Sequence, residues 1–116
     1  MATILYGISN CDTVKKAQKW LLQNNLSYTF HDYRKDGLDE ALIRSFLSKL
    51  TWTELLNKRS TSYRQLSEQQ KTSLNEETIV ELFIAYPTLI KRPLLIHNSH
   101  YQLGFKVENY KNLFSL

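Results

Sequence analysis

Cys11 is the only cysteine among 116 residues, and its neighbours are of the kinds that turn a thiol into a nucleophile. The stretch Thr3-Ile4-Leu5-Tyr6-Gly7-Ile8-Ser9-Asn10-Cys11-Asp12-Thr13-Val14-Lys15-Lys16 reads as a strand, a tight loop and the first turn of a helix. Cys11 falls at the loop-to-helix junction. A helix N-terminus carries about half a positive charge and several unpaired N–H groups. A thiol placed there has its thiolate favoured over its neutral form. Lys15, four residues on, shares the helix face of Cys11 and acts in the same direction. A lone cysteine is also commonly a small buried hydrophobe. Ser9, Asn10, Asp12 and Thr13 argue against that reading, because polar loop and cap residues bring the stretch to water.

The elements that must hold this thiol follow from patterning. Thr3–Tyr6 is β-branched and aromatic, and Gly7 ends it, as for a buried strand. From Asp12 or Thr13 to about Asn24 the pattern is helical, with Val14, Ala17 and Leu21 on one stripe and Trp20 at its edge. Ser27–Tyr33 alternates as a second strand, with Tyr28 and Phe30 on one face. A strand–helix–strand unit of this length implies a parallel, right-handed crossover. Arg34-Lys35-Asp36-Gly37 is a polar break.

The chain then changes character. Asp39–Leu50 carries Leu42, Ile43, Phe46, Leu47 and Leu50 at helical spacing. Thr51-x-x-Glu54 is a capping signal. Tyr63–Leu74 predicts one or two short helices. Asn75 caps a strong helix over Glu76–Tyr86, with Glu76 and Glu77 in its first turn. Leu89–His97 returns to strand composition, with Pro93 at its start or at a bulge because proline cannot donate to a ladder. Asn98-Ser99 marks a tight turn into Tyr101–Leu103, Gly104 opens a loop, and Val107–Leu116 is a last helix. The order β-α-β, helical insert, β-β, α predicts one α/β domain: a thioredoxin-like four-stranded mixed sheet with flanking helices and an inserted helical lobe at about residues 38–88.

Composition narrows the function. The length suits one domain with a real core. No apolar run approaches the ~20 residues of a membrane span, and no signal-peptide pattern opens the chain. A single cysteine excludes an internal disulfide framework and a Cys-rich zinc site, and it suits the reducing cytoplasm. A net charge of +4 and pI of 9.2 fit a small anionic substrate. The charge is spread along the chain and the aromatics sit at core spacings, so neither direct nucleic-acid binding nor a nucleotide-phosphate loop is expected. His31, His97 and His100 lack the spacing of a metal site.

Five segments resemble one known family. They are Leu5–Ala17, His31-Asp32-Tyr33-Arg34-Lys35-Asp36-Gly37-Leu38, Leu56-Asn57-Lys58-Arg59-Ser60-Thr61, Leu89-Ile90-Lys91-Arg92-Pro93-Leu94 and Gly104-Phe105-Lys106. Together the chain resembles the ArsC (glutaredoxin-coupled arsenate reductase) family, and within it the Spx/MgsR-like proteins nearest the YffB branch. The resemblance implies Cys11 as nucleophile. It places Arg59 and Arg92 on two arginines of the family's anion site, and Pro93 on its cis-proline. Asn10, Lys15 and Lys106 stand as helpers at the substrate. The third family arginine falls at Gly104-Phe105-Lys106, where Phe105 stands at or near its place. Redox-sensing Spx proteins carry Cys-x-x-Cys; Val14 occupies the second position here, which rules out an internal disulfide switch.

The resemblance implies a thiol-dependent reductase of small oxidised or oxyanion substrates. Cys11 attacks, Arg59 and Arg92 hold charge, and an external thiol, glutathione, releases the product as co-substrate, since no second cysteine can do so. Glutaredoxin is an implied partner. The other reading it implies is an Spx-like regulator that docks on RNA polymerase. A monomer with no bound cofactor and no metal is expected.

Overall fold

A computed structural model describes residues 3–116. By its contacts the chain divides into two compact units, one made of the residues up to Gly37 together with Arg92–Leu116, the other of Leu38–Lys91.

The first unit holds the sheet. Strand β1 (Thr3–Gly7) runs into helix α1 (Asp12–Gln23) and then strand β2 (Thr29–Asp32). After the second unit come β3 (Leu94–His97), β4 (His100–Leu103) and α7 (Val107–Leu113). The strand order is β2-β1-β3-β4, with β1 parallel to β2 and the other pairs antiparallel. This is the mixed, thioredoxin-like sheet that the element order predicts. Leu5 and Leu95 meet Val14, Ala17 and Leu21 of α1 and Tyr110 of α7 in a fully buried cluster, with Tyr28 and Phe30 packed beside it. Their spacing of three and four residues on α1 is what places them on one face.

The register sets up one end of the sheet. Gly7 pairs with Asp32 and Tyr6 with Leu94. The ends of β1 and β2 and the start of β3 therefore lie side by side, where α1 begins. Gly7 is required there by space: a Cβ on it would sit 2.7 Å from Val14 Cγ2.

In the second unit, helices α2 (Glu40–Leu47), α3 (Trp52–Leu55), α4 (Thr61–Arg64), α5 (Glu68–Thr72) and α6 (Glu76–Ala85) precede a 3-10 turn at Pro87–Leu89. Ile43, Phe46, Leu55, Ile79, Phe83, Leu89 and Ile90 are fully buried.

Three sequence expectations need correction. Only Thr29–Asp32 of Ser27–Tyr33 pairs, matching the four β1 residues available to it. Leu89–His97 is not one strand. Leu89 closes the 3-10 turn, Ile90 makes a single antiparallel bridge to Leu56, and pairing with β1 begins only after Pro93, which has no N–H to give. That bridge, flanked by the Asn57 and Lys91 N–H groups donating to Leu89 O and Leu55 O at 2.7 and 2.8 Å, means the inserted unit has some β pairing. The last helix stops at Leu113, and Ser115 adopts φ 57°.

Candidate functional site

Cys11 is the N-cap residue of α1, extended at φ −89° and ψ 126°, and its side chain makes no capping hydrogen bond. Two backbone bonds shape the loop. The Cys11 N–H donates to Ile8 O at 3.1 Å, and the Lys15 N–H to Cys11 O at 3.0 Å. The sulfur is half-buried, while Ser9 and Asn10 are exposed.

Burial pushes the Cys11 thiol up, but the Val14 N–H, the Arg92 guanidinium and the Thr13 N–H together outweigh it and hold the thiol below its ordinary value. Thr13 and Val14 occupy the second and third helical positions. Their N–H groups are those that a serine or aspartate oxygen accepts from at an N-cap. A thiolate at Cys11 thus does the work of a capping oxygen, and Arg92 adds a full charge.

Arg92 precedes β3, and its peptide bond to Pro93 is cis. The carbonyl of Pro93 accepts the Gly104 N–H at 2.8 Å, which ties the start of β3 to the end of β4. The guanidinium lies close enough to the sulfur to act on it as donor and as charge. Its Nε and Nη1 are nevertheless buried without a hydrogen-bond partner, and so is the hydroxyl of Tyr33.

The loop is also stapled from below. Asp32, at the end of β2 and buried, accepts the Ser9 N–H on Oδ2 at 3.2 Å and the Arg34 N–H on Oδ1 at 2.8 Å. Burial raises this carboxyl, but the Arg34, Ser9 and Lys35 donors prevail and hold it below the usual carboxylate range. It therefore stays ionised and fixes the turn that leads to Cys11. Tyr33 follows directly, and its N–H donates to Gly7 O at 2.9 Å.

The structure brings Cys11, Arg92 and Pro93 to one end of the sheet. Lys15 is exposed on α1, and Lys106, the N-cap residue of α7, is exposed. Phe105 turns into an aromatic cluster, 4.8 Å from Tyr110 edge-on and 6.4 Å from Trp20, so it offers no donor. Arg59 belongs to the second unit. It is exposed in the turn before α4, where its N–H donates to Asn57 Oδ1 at 3.1 Å. Asp32 and Tyr33 were not singled out by the sequence reading. The available signal was a carboxylate closing a strand that runs parallel to the cysteine strand. Among the described residues no three His, Cys, Asp or Glu side chains gather as metal ligands, and no helix is long and apolar enough to cross a membrane.

Known proteins resemble this chain in sequence and fold. A Haemophilus influenzae protein of uncharacterised function is 44% identical over 111 residues, covering 96% of this chain and 97% of its own. The global transcriptional regulator Spx 2 of Bacillus anthracis is 29% identical, covering 93% of this chain and 83% of its own. Among solved structures, a YFFB protein superposes with a TM-score of 0.90 at 39% identity, covering 97% of this chain and 98% of its own. An arsenate reductase (ArsC) related protein from Brucella melitensis gives 0.79 at 40% identity, over 100% and 97%. Residues 6–113 match the ArsC family, and the chain belongs to it.

Proposed function

We propose that the protein is a thiol-dependent reductase of small oxidised or oxyanion substrates, with Cys11 as nucleophile and glutathione as co-substrate. The observation that carries this reading is the pair of helix amides and the Arg92 guanidinium converging on one half-buried sulfur and holding its thiol below the ordinary value. A nucleophilic thiolate needs positive surroundings and partial access.

The chemistry balances with one cysteine. For a mixed disulfide of glutathione and a second thiol, the Cys11 thiolate attacks the glutathione sulfur. The second thiol leaves as thiolate, and Cys11 becomes joined to glutathione. A free glutathione thiolate then attacks that sulfur, releasing glutathione disulfide and restoring the Cys11 thiolate. Arg92 favours the charge on Cys11 before attack and after release. Arg59 is the second cation of the anion site that the family resemblance assigns. Glutaredoxin is the protein partner that would accept an adduct in place of free glutathione, and the reducing cytoplasm is the compartment in which such a thiol persists.

The test is mixed-disulfide formation with oxidised glutathione at neutral pH, read by mass spectrometry for wild type, Arg92→Ala and Arg59→Ala. Rapid, reversible modification that slows about tenfold in Arg92→Ala supports an activated thiolate, since tenfold is one pK unit of lost thiolate. Slow modification indifferent to both arginines rejects it.

A second reading is favoured by the Bacillus anthracis regulator, which shares 29% identity over most of this chain. On that reading the protein is an Spx-like transcriptional regulator that docks on RNA polymerase without a redox switch, since Val14 replaces the second cysteine. Co-purification with purified polymerase separates the two.

A further inference from the structure

Almost every carboxylate of the 38–91 unit has a local role. Asp39 accepts the Leu42 N–H at the start of α2, and Glu54 the Thr51 N–H at the start of α3. Glu40 and Glu77 pair with Arg44, and Glu68 lies 3.9 Å from Lys71. Glu76 stands in the first turn of α6, where the helix dipole favours negative charge. Glu81 has none of these roles. It lies beyond the first turn of α6 and has no ion-pair or hydrogen-bond partner among the described residues.

Glu81 lines a cavity of about 450 Å³ between α5 and α6. Thr78, Glu81, Leu82 and Ala85 follow one another at helical spacing and form the α6 wall. The facing helix, α5, is polar throughout and has no buried residue, so it does not pack into the space as a core helix would. Local bonds hold the two walls. Ser67 and Gln70 cap α5 reciprocally, and Thr78 Oγ1 donates to Ser73 O at 2.9 Å, tying α6 to the end of α5. Those bonds engage most of the polar lining and leave the Gln69 amide and the Glu81 carboxylate without protein partners. No Lys, Arg or His lines the cavity, and Glu81 is its one charged group. Lys71 of α5 is committed elsewhere, to Glu68 and over the Tyr63 ring at 5.3 Å from its centroid.

Two further features of the cavity favour positive charge. It reaches Tyr86, the residue that ends α6, which is 46% exposed and offers an aromatic face. The last turn of α6 also carries no basic residue, although the C-terminal end of a helix favours a cation. We propose that this cavity binds a small primary amine as its ammonium ion. Glu81 takes the charge, the Tyr86 ring adds a cation–π contact, and Leu82 and Ala85 hold the apolar stem. A metal ion is disfavoured because one carboxylate falls far short of its ligand set. The site lies within the inserted unit and is independent of the chemistry at Cys11.

The experiment titrates the full chain at constant ionic strength with pentylammonium, pentanol and pentanoate, reading the backbone amide shifts of Gln69, Glu81 and Tyr86. Wild type is expected to bind pentylammonium saturably and more tightly than the other two. Glu81→Gln should weaken it about fivefold, the upper range for an exposed ion pair. Tyr86→Leu should weaken it about threefold, as for an exposed cation–π contact. Both variants keep the fold, since Glu81 holds no partner and Tyr86 is exposed. Glu76→Gln removes the same charge outside the cavity and should leave affinity unchanged. Pentanol or pentanoate binding as tightly as pentylammonium overturns the proposal. So does the absence of saturable shifts, or an equal loss in Glu76→Gln and Glu81→Gln.

A second arm identifies where the ammonium comes from. Nα-acetyl-lysine methylamide carries an alkylammonium stem on a peptide backbone. Affinity equal to or weaker than that of pentylammonium supports a free small amine as the ligand. Binding more than tenfold tighter assigns the group to a lysine of a partner protein and overturns the small-amine assignment.

Discussion

The two units of the chain treat their helix starts differently. Every α-helix of the 38–91 unit begins with an oxygen side chain that accepts from its first turn: Asp39, Thr51, Ser60, Ser67 and Asn75. Three of them close full capping boxes. In the sheet unit, α1 begins with Cys11 and α7 with Lys106, and neither has such a bond; of the two, only Cys11 can carry a negative charge at the helix start. The same contrast holds within the sheet unit. At the far end of the sheet Thr3 Oγ1 and His97 Nδ1 lie 2.7 Å apart and satisfy each other. At the cysteine end, Nε and Nη1 of Arg92 and the Tyr33 hydroxyl remain unpaired. At α1 the missing oxygen cap coincides with a sulfur that must carry charge, the pattern expected of a functional site.

The comparison can be broken at several points. The largest expected effect is at Asp32, whose buried carboxylate holds the Ser9 and Arg34 amides. Asp32→Asn should cost about 2–3 kcal/mol in urea denaturation, because hydrogen bonds to a buried charge are lost. Its sign with pH is fixed. The folded carboxyl is held low, so its stabilisation is present above the unfolded value near ~3.9 and is lost as pH falls through the folded one. The stability gap between wild type and Asp32→Asn should shrink on acidification.

Next is Gly7→Ala, which places a methyl 2.7 Å from Val14 Cγ2. Overpacking of this kind costs about 1–3 kcal/mol, and Cys11 alkylation should change with it because α1 must shift. Asn75→Ala removes an ordinary cap on α6 and should cost about 1 kcal/mol with no effect on Cys11 reactivity. The smallest change has the opposite sign. Cys11→Ser installs the missing oxygen cap and should gain about 0.5 kcal/mol at a pH below the titration of the thiol. A loss there would erase the contrast between the units.

Much of this was legible in the sequence because it is local. Val14, Ala17 and Leu21 mark the buried face of α1, Thr51-x-x-Glu54 the capping box of α3, and Asn98-Ser99 a turn whose residues adopt φ 49° and 72°. Cys11 was legible for the same reason: its meaning depends on being next to a helix start. The roles of Asp32 and Tyr33 depend on the register that brings Gly7 opposite Asp32, which no spacing along the chain encodes. Leu89-Ile90 has strand composition, yet Pro87 starts a 3-10 turn and Pro93 delays the ladder. Phe105 could be placed at an arginine's position, but that its ring packs with Trp20 and Tyr110 is a long-range fact.

The most direct measurement is the titration of the Cys11 thiolate by its ultraviolet absorbance against pH, in wild type and in Arg92→Ala. Wild type should titrate below the free-thiol value of ~8.5. Arg92→Ala should move up, because its donor and its charge are lost while burial and the Thr13 and Val14 amides remain. The stabilisation carried by the thiolate is then present above ~8.5 and is lost as pH falls through the folded value. A wild-type thiol that titrates at or above ~8.5 would contradict the account, and Cys11 would be an uncapped helix start with no charge to hold.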